Sequence, residues 1–270
     1  MICFPNAKIN LGLNVVSKRP DGYHDIETIF YPIPVKDALE IVSSDRLRFS
    51  QTGIPVDAPQ EKNLVIKALN ALKARYEIPP LEIHLLKAIP FGAGLGGGSA
   101  DAAFMLKLVN DFLGLRIPAE ELETIASTIG ADCPFFIRNT PVFATGTGNR
   151  FEPIELSLHG YYLCLVKPDI AVSTPEAYSM VTPAKPETSL KEIIQRPVSE
   201  WREWMVNDFE RSVFPKHPQI GLIKDKLYEK GALYAAMSGS GSSVFGLFDQ
   251  PTHLKDEPLF RDCYFWEGAL

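Results

Sequence analysis

The sequence has little that would place it in a membrane, in an oxidising compartment or along a nucleic acid. No run approaches the ~18 uninterrupted apolar residues that a spanning helix needs, and the opening "MICFPNAKINLGLNVV" carries no basic leader or small-residue cleavage site. The cysteines Cys3, Cys133, Cys164 and Cys263 are widely scattered. None has the close spacing of a zinc site or redox motif, so reduced thiols are expected. Positive charge is not in excess: 27 Lys and Arg face 33 Asp and Glu, a net charge of −6. That balance argues against a chain that tracks phosphates along a duplex. There is no G-x-x-x-x-G-K-[ST] loop, no long repeat and no low-complexity segment. The expectation is a cytoplasmic protein with neither a membrane nor a nucleic-acid partner. The sequence leaves its oligomeric state open.

Glycine, by contrast, is concentrated. "AIPFGAGLGGGSADAAFML" places Gly92, Gly94, Gly96, Gly97 and Gly98 within seven positions, immediately before an apolar helical segment. Each glycine loses more backbone entropy on ordering than any other residue, so the run implies a close approach to the backbone. Backbone N–H groups together with the positive end of the helix opening near Ser99 make an anion cradle. Gly92, Gly94 and Gly97 formally satisfy G-x-G-x-x-G, the dinucleotide fingerprint. That fingerprint also wants an acidic residue ending a second parallel strand, and the candidate, Asp111, lies inside the following helix. An oxidoreductase reading therefore lacks its second element, and a phosphate cradle of neither standard kind remains.

Around this loop the patterns are mixed. "KINLGLNVVS" (8–17) alternates with the period of a strand, "RPDGYH" (19–24) reads as a turn, and "DIETIFYPI" resumes a strand. "DALEIV" and "RLRFS" are expected to complete a small antiparallel sheet with these. Helical spacing at Leu64, Ala68, Leu72 and Tyr76 marks 61–76, and "LEIHLLKAI" (81–89) leads as a strand into the glycines. The next helix is expected to have Ser99 at its N terminus, Asp101 in its first turn and Gly114 as its stop. "PAEELETIASTIG" follows as another, bounded by Pro118 and Gly130. Past about residue 153 come strand "YYLCLVKP", a Pro- and charge-rich stretch, helix "PQIGLIKDKLYEKG", strands "ALYAAM" and "SVFGLF" around "SGSGS", and "CYFWEG". Mixed strands and helices predict an α+β protein in two lobes, 1–153 and 154–270.

"PFGAGLGGGSADAA" resembles the phosphate-binding loop of the GHMP kinases. "AKINLGLNVVSKRPDGYHDIETIF", "GADCPFFI" and "MSGSGSSVFGLF" narrow the resemblance to the 4-diphosphocytidyl-2-C-methyl-D-erythritol kinases of non-mevalonate isoprenoid biosynthesis. The motifs run in order from residue 7 to about 248. The resemblance implies a two-lobed GHMP kinase-like fold with the active site in the inter-lobe cleft. It also implies ATP as phosphoryl donor with Mg2+, and the 2-hydroxyl of a cytidine diphosphate-bearing small molecule as acceptor. The chain departs from the pattern at Ala100, where a second serine is usual, and at Cys133, where an aliphatic residue is common.

Residue roles follow from the same resemblance. Asp132 in "GADCPF" matches the catalytic aspartate and Lys8 in "AKIN" its partner lysine. Without the match, Asp132 reads as a turn acid and Lys8 as an edge-strand charge. Gly92, Gly94, Gly96, Gly97, Gly98 and Ser99 would bind the triphosphate, and Ser99 would contact the magnesium. Asn63 and Leu64 match residues near adenine; by themselves they read as a helix start and a core leucine. Asn10, on the strand face of Lys8, would hold a substrate hydroxyl. Tyr23 would stack on cytosine and His24 bond its edge, while Thr174 and Tyr178 would contact the cytidine, Tyr178 closing the stack. Gly239 and Gly241 would approach the substrate diphosphate or the methylerythritol. Two alternatives stay open: another GHMP kinase acting on homoserine or a mevalonate derivative, and a nucleotide-binding sensor without turnover.

Overall fold

The first long strand shows how the sequence sets the site. In the computed structural model, which describes residues 1–55 and 59–270, β1 is Ile2–Cys3 and β2 Asn6–Lys18. The odd positions of β2, Ala7, Ile9, Leu11, Leu13 and Val15, form one apolar face. The even positions Asn6, Lys8, Asn10 and Asn14 form the other, and they too are buried. Both faces are covered, so one side of β2 is a buried polar stripe whose groups need partners.

The chain continues with β3 (His24–Lys36), β4 (Ala38–Ser43), β5 (Arg48–Gly53), α1 (Leu64–Lys73), β6 (Leu81–Lys87), α2 (Gly97–Leu113), α3 (Ala119–Ser127) and α4 (Phe135–Arg138). Next come β7 (Val142–Thr145), β8 (Arg150–Pro153), β9 (Tyr162–Lys167), α5 (Thr174–Tyr178), α6 (Leu190–Ile193) and α7 (Trp201–Trp204). The chain ends with α8 (Glu210–Lys216), α9 (Pro218–Glu229), β10 (Tyr234–Met237), β11 (Val244–Phe248) and β12 (Tyr264–Ala269). These elements gather into two compact units that interleave in sequence. Residues 1–8, 32–91 and 96–140 form the first; 9–31, 92–95 and 141–270 form the second.

In the first unit a four-stranded sheet runs β1-β4-β6-β5. The expected antiparallel sheet of β2 to β5 does not form, because β4 and β5 flank β6 instead, and β5 runs parallel to it. β6 alternates as its sequence predicts: Leu81, Ile83 and Leu85 point inward, Glu82, His84 and Leu86 outward. The fourth inward position is Lys87, a charge where the pattern calls for an apolar side chain. α1 buries Val65, Ile66, Ala68, Leu69 and Leu72 against α2, which also packs on α3, α4 and β4. Tyr76 falls beyond the end of α1. α2 stops at Gly114, whose left-handed conformation suits glycine.

In the second unit, β10-β11-β9-β12 is antiparallel throughout. α9 packs on β10 and β11, and Ile220, Ile223 and Leu227 meet Cys164, Val166, Ala235, Met237 and Val244 in one core. A third sheet runs β2-β3-β7-β8. No helix among the described residues is long and apolar enough to cross a membrane.

Candidate active site

On the polar stripe of β2 the Lys8 side chain is 4% exposed, and its Nζ stands 3.9 Å from Asp132 Oδ2, on a side chain 33% exposed. One partner is sealed and the other faces outward. Burial lowers the Lys8 pKa from its ordinary 10.5, with Asp132 pulling the other way. Asp132 sits in the tight turn between Gly130 and α4. Asn6, on the same stripe, exchanges amide hydrogen bonds of 2.6 and 3.2 Å with Asn139, the left-handed C-cap of α4. Cys133, beside Asp132, is buried. Burial first pushes that thiol up to about 11, so it is inert as a nucleophile.

The glycine loop answers its own question in two ways. Gly92, Gly94 and Gly96 have positive φ, which glycine tolerates. A Cβ at Gly94 would strike the Ser238 carbonyl, and one at Gly96 would lie 2.9 Å from Phe136 and 3.3 Å from Lys8 Cε. At Gly97 the obstacle is Ile89, at 2.8 Å. These three glycines admit the protein's own atoms. Among the described residues a Cβ at Gly92 would meet nothing within 4 Å beyond its chain neighbours, and one at Gly98 would meet only Leu64, at 3.4 Å. The N-cap of α2 is Gly96, with no side-chain cap, so Ser99 is the third helical residue rather than the cap. The first N–H groups and the dipole of a 17-residue helix thus open beside Lys8 and Asp132.

Next to Gly98 lies a cavity of about 540 Å³, of the size that takes a small-molecule ligand. Phe49, Leu64, Leu85 and Phe91 give it apolar walls; Asn63, Lys87 and Asp101 add polar groups. Asn63 Oδ1 caps α1 by accepting from Val65 N, and its Nδ2 donates to Gln51. Leu64 is half-buried on the wall, not core. Asp101 lies past the first turn of α2 and is buried. Lys87 Nζ donates to Asp101 Oδ2 at 2.7 Å and to Asp37, whose Oδ1 accepts from the N–H groups of Ala88 and Ile89. Sequence reasoning missed this cluster. Its one visible signal was a lysine at an inward position of β6.

In the second unit, Asn10 Nδ2 donates to Thr28 Oγ1 at 2.9 Å and Asn10 N to Ser238 Oγ at 3.2 Å. Ser238 Oγ donates in turn to the Gly94 carbonyl at 2.8 Å, tying "SGSGS" to the glycine run. Gly239 is buried, and a Cβ there would meet Asn10 Oδ1 at 3.2 Å; Gly241 is hemmed in by Met237 at 2.7 Å. The "RPDGYH" turn closes through Arg19 N donating to the Tyr23 carbonyl, with Gly22 at φ 87°. Tyr23 is 66% exposed. Tyr178 does not stand open opposite it: its ring stacks on His24, with centroids 4.6 Å apart and 19° between planes, and meets Phe209 edge-on. A separation of 4.6 Å leaves no room for a base between His24 and Tyr178. Thr174 is exposed at the start of α5. Among the described residues no group of three or more His, Cys, Asp or Glu could hold a metal ion, and the four cysteines are free.

Residues 63–140 match the family model of the GHMP kinases N terminal domain, and residues 189–257 that of the GHMP kinases C terminal domain. A 4-diphosphocytidyl-2-C-methyl-D-erythritol kinase of Parabacteroides distasonis is 85% identical over 270 residues, covering all of both chains. This chain belongs to the 4-diphosphocytidyl-2-C-methyl-D-erythritol kinase family of GHMP kinases. As a GHMP kinase it is a small-molecule phosphotransferase that uses ATP. A crystal structure of 4-(cytidine 5'-diphospho)-2C-methyl-D-erythritol kinase superposes on it with a TM-score of 0.86 at 31% identity, covering 100% of this chain and 98% of that one. The mevalonate kinase of Methanococcus jannaschii, at 15% identity, shares the fold with a TM-score of 0.70 over 100% and 98% of the two chains.

Proposed function

We propose that this kinase transfers the γ-phosphoryl group of ATP to the 2-hydroxyl of 4-diphosphocytidyl-2-C-methyl-D-erythritol. The observation that carries the proposal is the Lys8–Asp132 pair beside the uncapped N terminus of α2. Phosphoryl transfer asks for alignment and for stabilisation of spread negative charge more than for covalent help. Gly92, Gly94, Gly96, Gly97, Gly98 and Ser99 offer the triphosphate backbone N–H groups and the helix dipole. Adenine occupies the 540 Å³ cavity against Leu64, beside Asn63.

The acceptor is a tertiary alcohol, crowded and weakly acidic. Asp132 accepts its proton as the O–P bond forms. The Lys8 ammonium faces that carboxylate and polarises the hydroxyl. Asn10 holds a substrate hydroxyl from the next position on the stripe. The cytosine stacks on the exposed Tyr23 ring, and His24 bonds its edge. Tyr178 backs His24, and Thr174 contacts the cytidine. Gly239 and Gly241 bring the "SGSGS" backbone to the diphosphate or the methylerythritol. A single protein hydroxyl, that of Ser99 near the start of α2, fits a magnesium ion held mainly by phosphates and water. Ser99 would touch it, and the ion would neutralise phosphate charge. In this reading residues 1–153 and 154–270 are the two sequence modules.

The test is ADP release with ATP and a panel of acceptors: the cytidyl-linked methylerythritol, homoserine, mevalonate and phosphomevalonate. Turnover confined to the first is expected. Preference for any other acceptor reassigns the substrate, and silence across the panel revives a nucleotide sensor.

A further inference from the structure

The glycine loop is held at both ends by one buried cluster. Lys87 is the last residue of β6 and Asp101 lies in α2, so the pair brackets residues 88–100, the whole glycine run included. The Lys87 and Asp101 side chains are each 4% exposed and Asp37 is fully buried. Asp37 reaches across from the β3–β4 turn and accepts the N–H groups of Ala88 (2.6 Å) and Ile89 (2.8 Å), the first two residues of the bracketed segment. The ammonium therefore joins the entry of the loop to its exit, and the second carboxylate fixes the backbone at the entry.

Such a cluster is costly to build. An ammonium and two carboxyl groups leave water, and Asp101 Oδ1 has no hydrogen-bond partner among the described residues. A well-packed apolar trio would serve stability as well or better, so the charge calls for a reason of its own. Position supplies one. Lys87 and Asp101 also line the cavity, and Asp101 lies one turn after Gly98 on the same helix face.

We propose that Lys87, Asp101 and Asp37 are positioning residues that clamp the two ends of the glycine loop and hold its N–H groups in the arrangement that receives phosphates. Glycines alone are free to leave that arrangement; the clamp removes the freedom before a ligand arrives. The link to phosphate rests on the kinase reading above, whereas the mechanical claim does not.

The test compares Asp101→Asn with wild type and with Leu122→Ala, a core truncation in α3 away from the cluster. Hydrogen exchange is measured first on the ligand-free proteins. Asp101→Asn is expected to speed exchange across 88–99 by about tenfold, the equivalent of one charge-assisted hydrogen bond, while α1 and the rest of β6 stay protected. Unchanged protection of 88–99 overturns the clamp. So does a rise spread evenly over the first unit, as Leu122→Ala should give. Dissociation constants for ATP, inorganic tripolyphosphate and adenosine come second. Asp101→Asn should weaken the first two by about tenfold and leave adenosine within about twofold. An equal loss on adenosine assigns Asp101 to the base cavity and overturns the phosphate role. A wild-type protein that binds neither ATP nor tripolyphosphate defeats the kinase reading, and the exchange experiment still decides the clamp.

Discussion

Two lysines in the first unit are sealed to the same degree, their side chains each 4% exposed, yet they are perturbed in opposite directions. Lys8 faces the Asp132 carboxylate, 3.9 Å away and partly open to solvent, and burial wins: its pKa falls. Lys87 suffers the same burial, but two enclosed carboxylates, Asp101 and Asp37, outweigh it and its pKa rises. Burial sets the cost of a charge, and the closeness and enclosure of the carboxylates beside it decide what becomes of it. Lys8 is left poised, able to answer a changing charge beside it. Lys87 is locked.

That contrast is most easily broken at Lys8. Asp132→Asn and Lys8→Met should each lower kcat by roughly 10²–10⁴ and leave the fold intact, as loss of an acid–base contribution does. A folded Asp132→Asn protein with near-normal turnover would falsify the pairing. At the other lysine the loss should appear as stability. Lys87→Met removes one partner of a buried ionic cluster, and urea denaturation should show a loss of about 3–5 kcal/mol. A loss below about 1 kcal/mol, the level of a surface pair, would mean that Lys87 is not locked.

A pH series sharpens the same comparison. Between the lowered folded pKa of Lys8 and its ordinary 10.5, the folded chain has released a proton that the unfolded chain still holds. The Lys8 contribution to stability therefore rises with pH across that window. Turnover should fall across it, because the ammonium is lost. Opposite trends, read by kcat and by denaturation of wild type against Lys8→Met, separate a lost charge from unfolding; parallel trends would contradict the assignment. The smallest effect belongs to the second unit. Tyr23→Ala should raise KM for the cytidyl acceptor about tenfold, one stacked base, and leave KM for ATP alone. Equal effects on both substrates remove Tyr23 from the acceptor site.

Much of this was legible along the chain. The period of β2 and β6, the stop at Gly114 and the turn at Gly22 each depend on a few neighbouring residues, and each formed as read. The failures were long-range. "DALEIV" and "RLRFS" read correctly as strands, but their choice of β6 over β3 was not written in either. Tyr178 was expected to face Tyr23 across a base, and it stacks on His24. Asp101 read as a helix-start acid because nothing in "SADAAF" reports a lysine 14 residues upstream or an aspartate on another turn.

By itself the sequence determined the local repertoire: a glycine run before an apolar helix, a strand with one polar face, and motifs in the order of the GHMP kinases. Only tertiary structure decided what the charges meet. It set Lys8 against a partly open carboxylate and Lys87 between two enclosed ones, and it gave three of the glycines to the protein's own atoms. The physical reason is that helix and strand periodicity are short-range, while the partner of a buried charge comes from a distant segment. No local pattern of residues names that partner before the chain has packed.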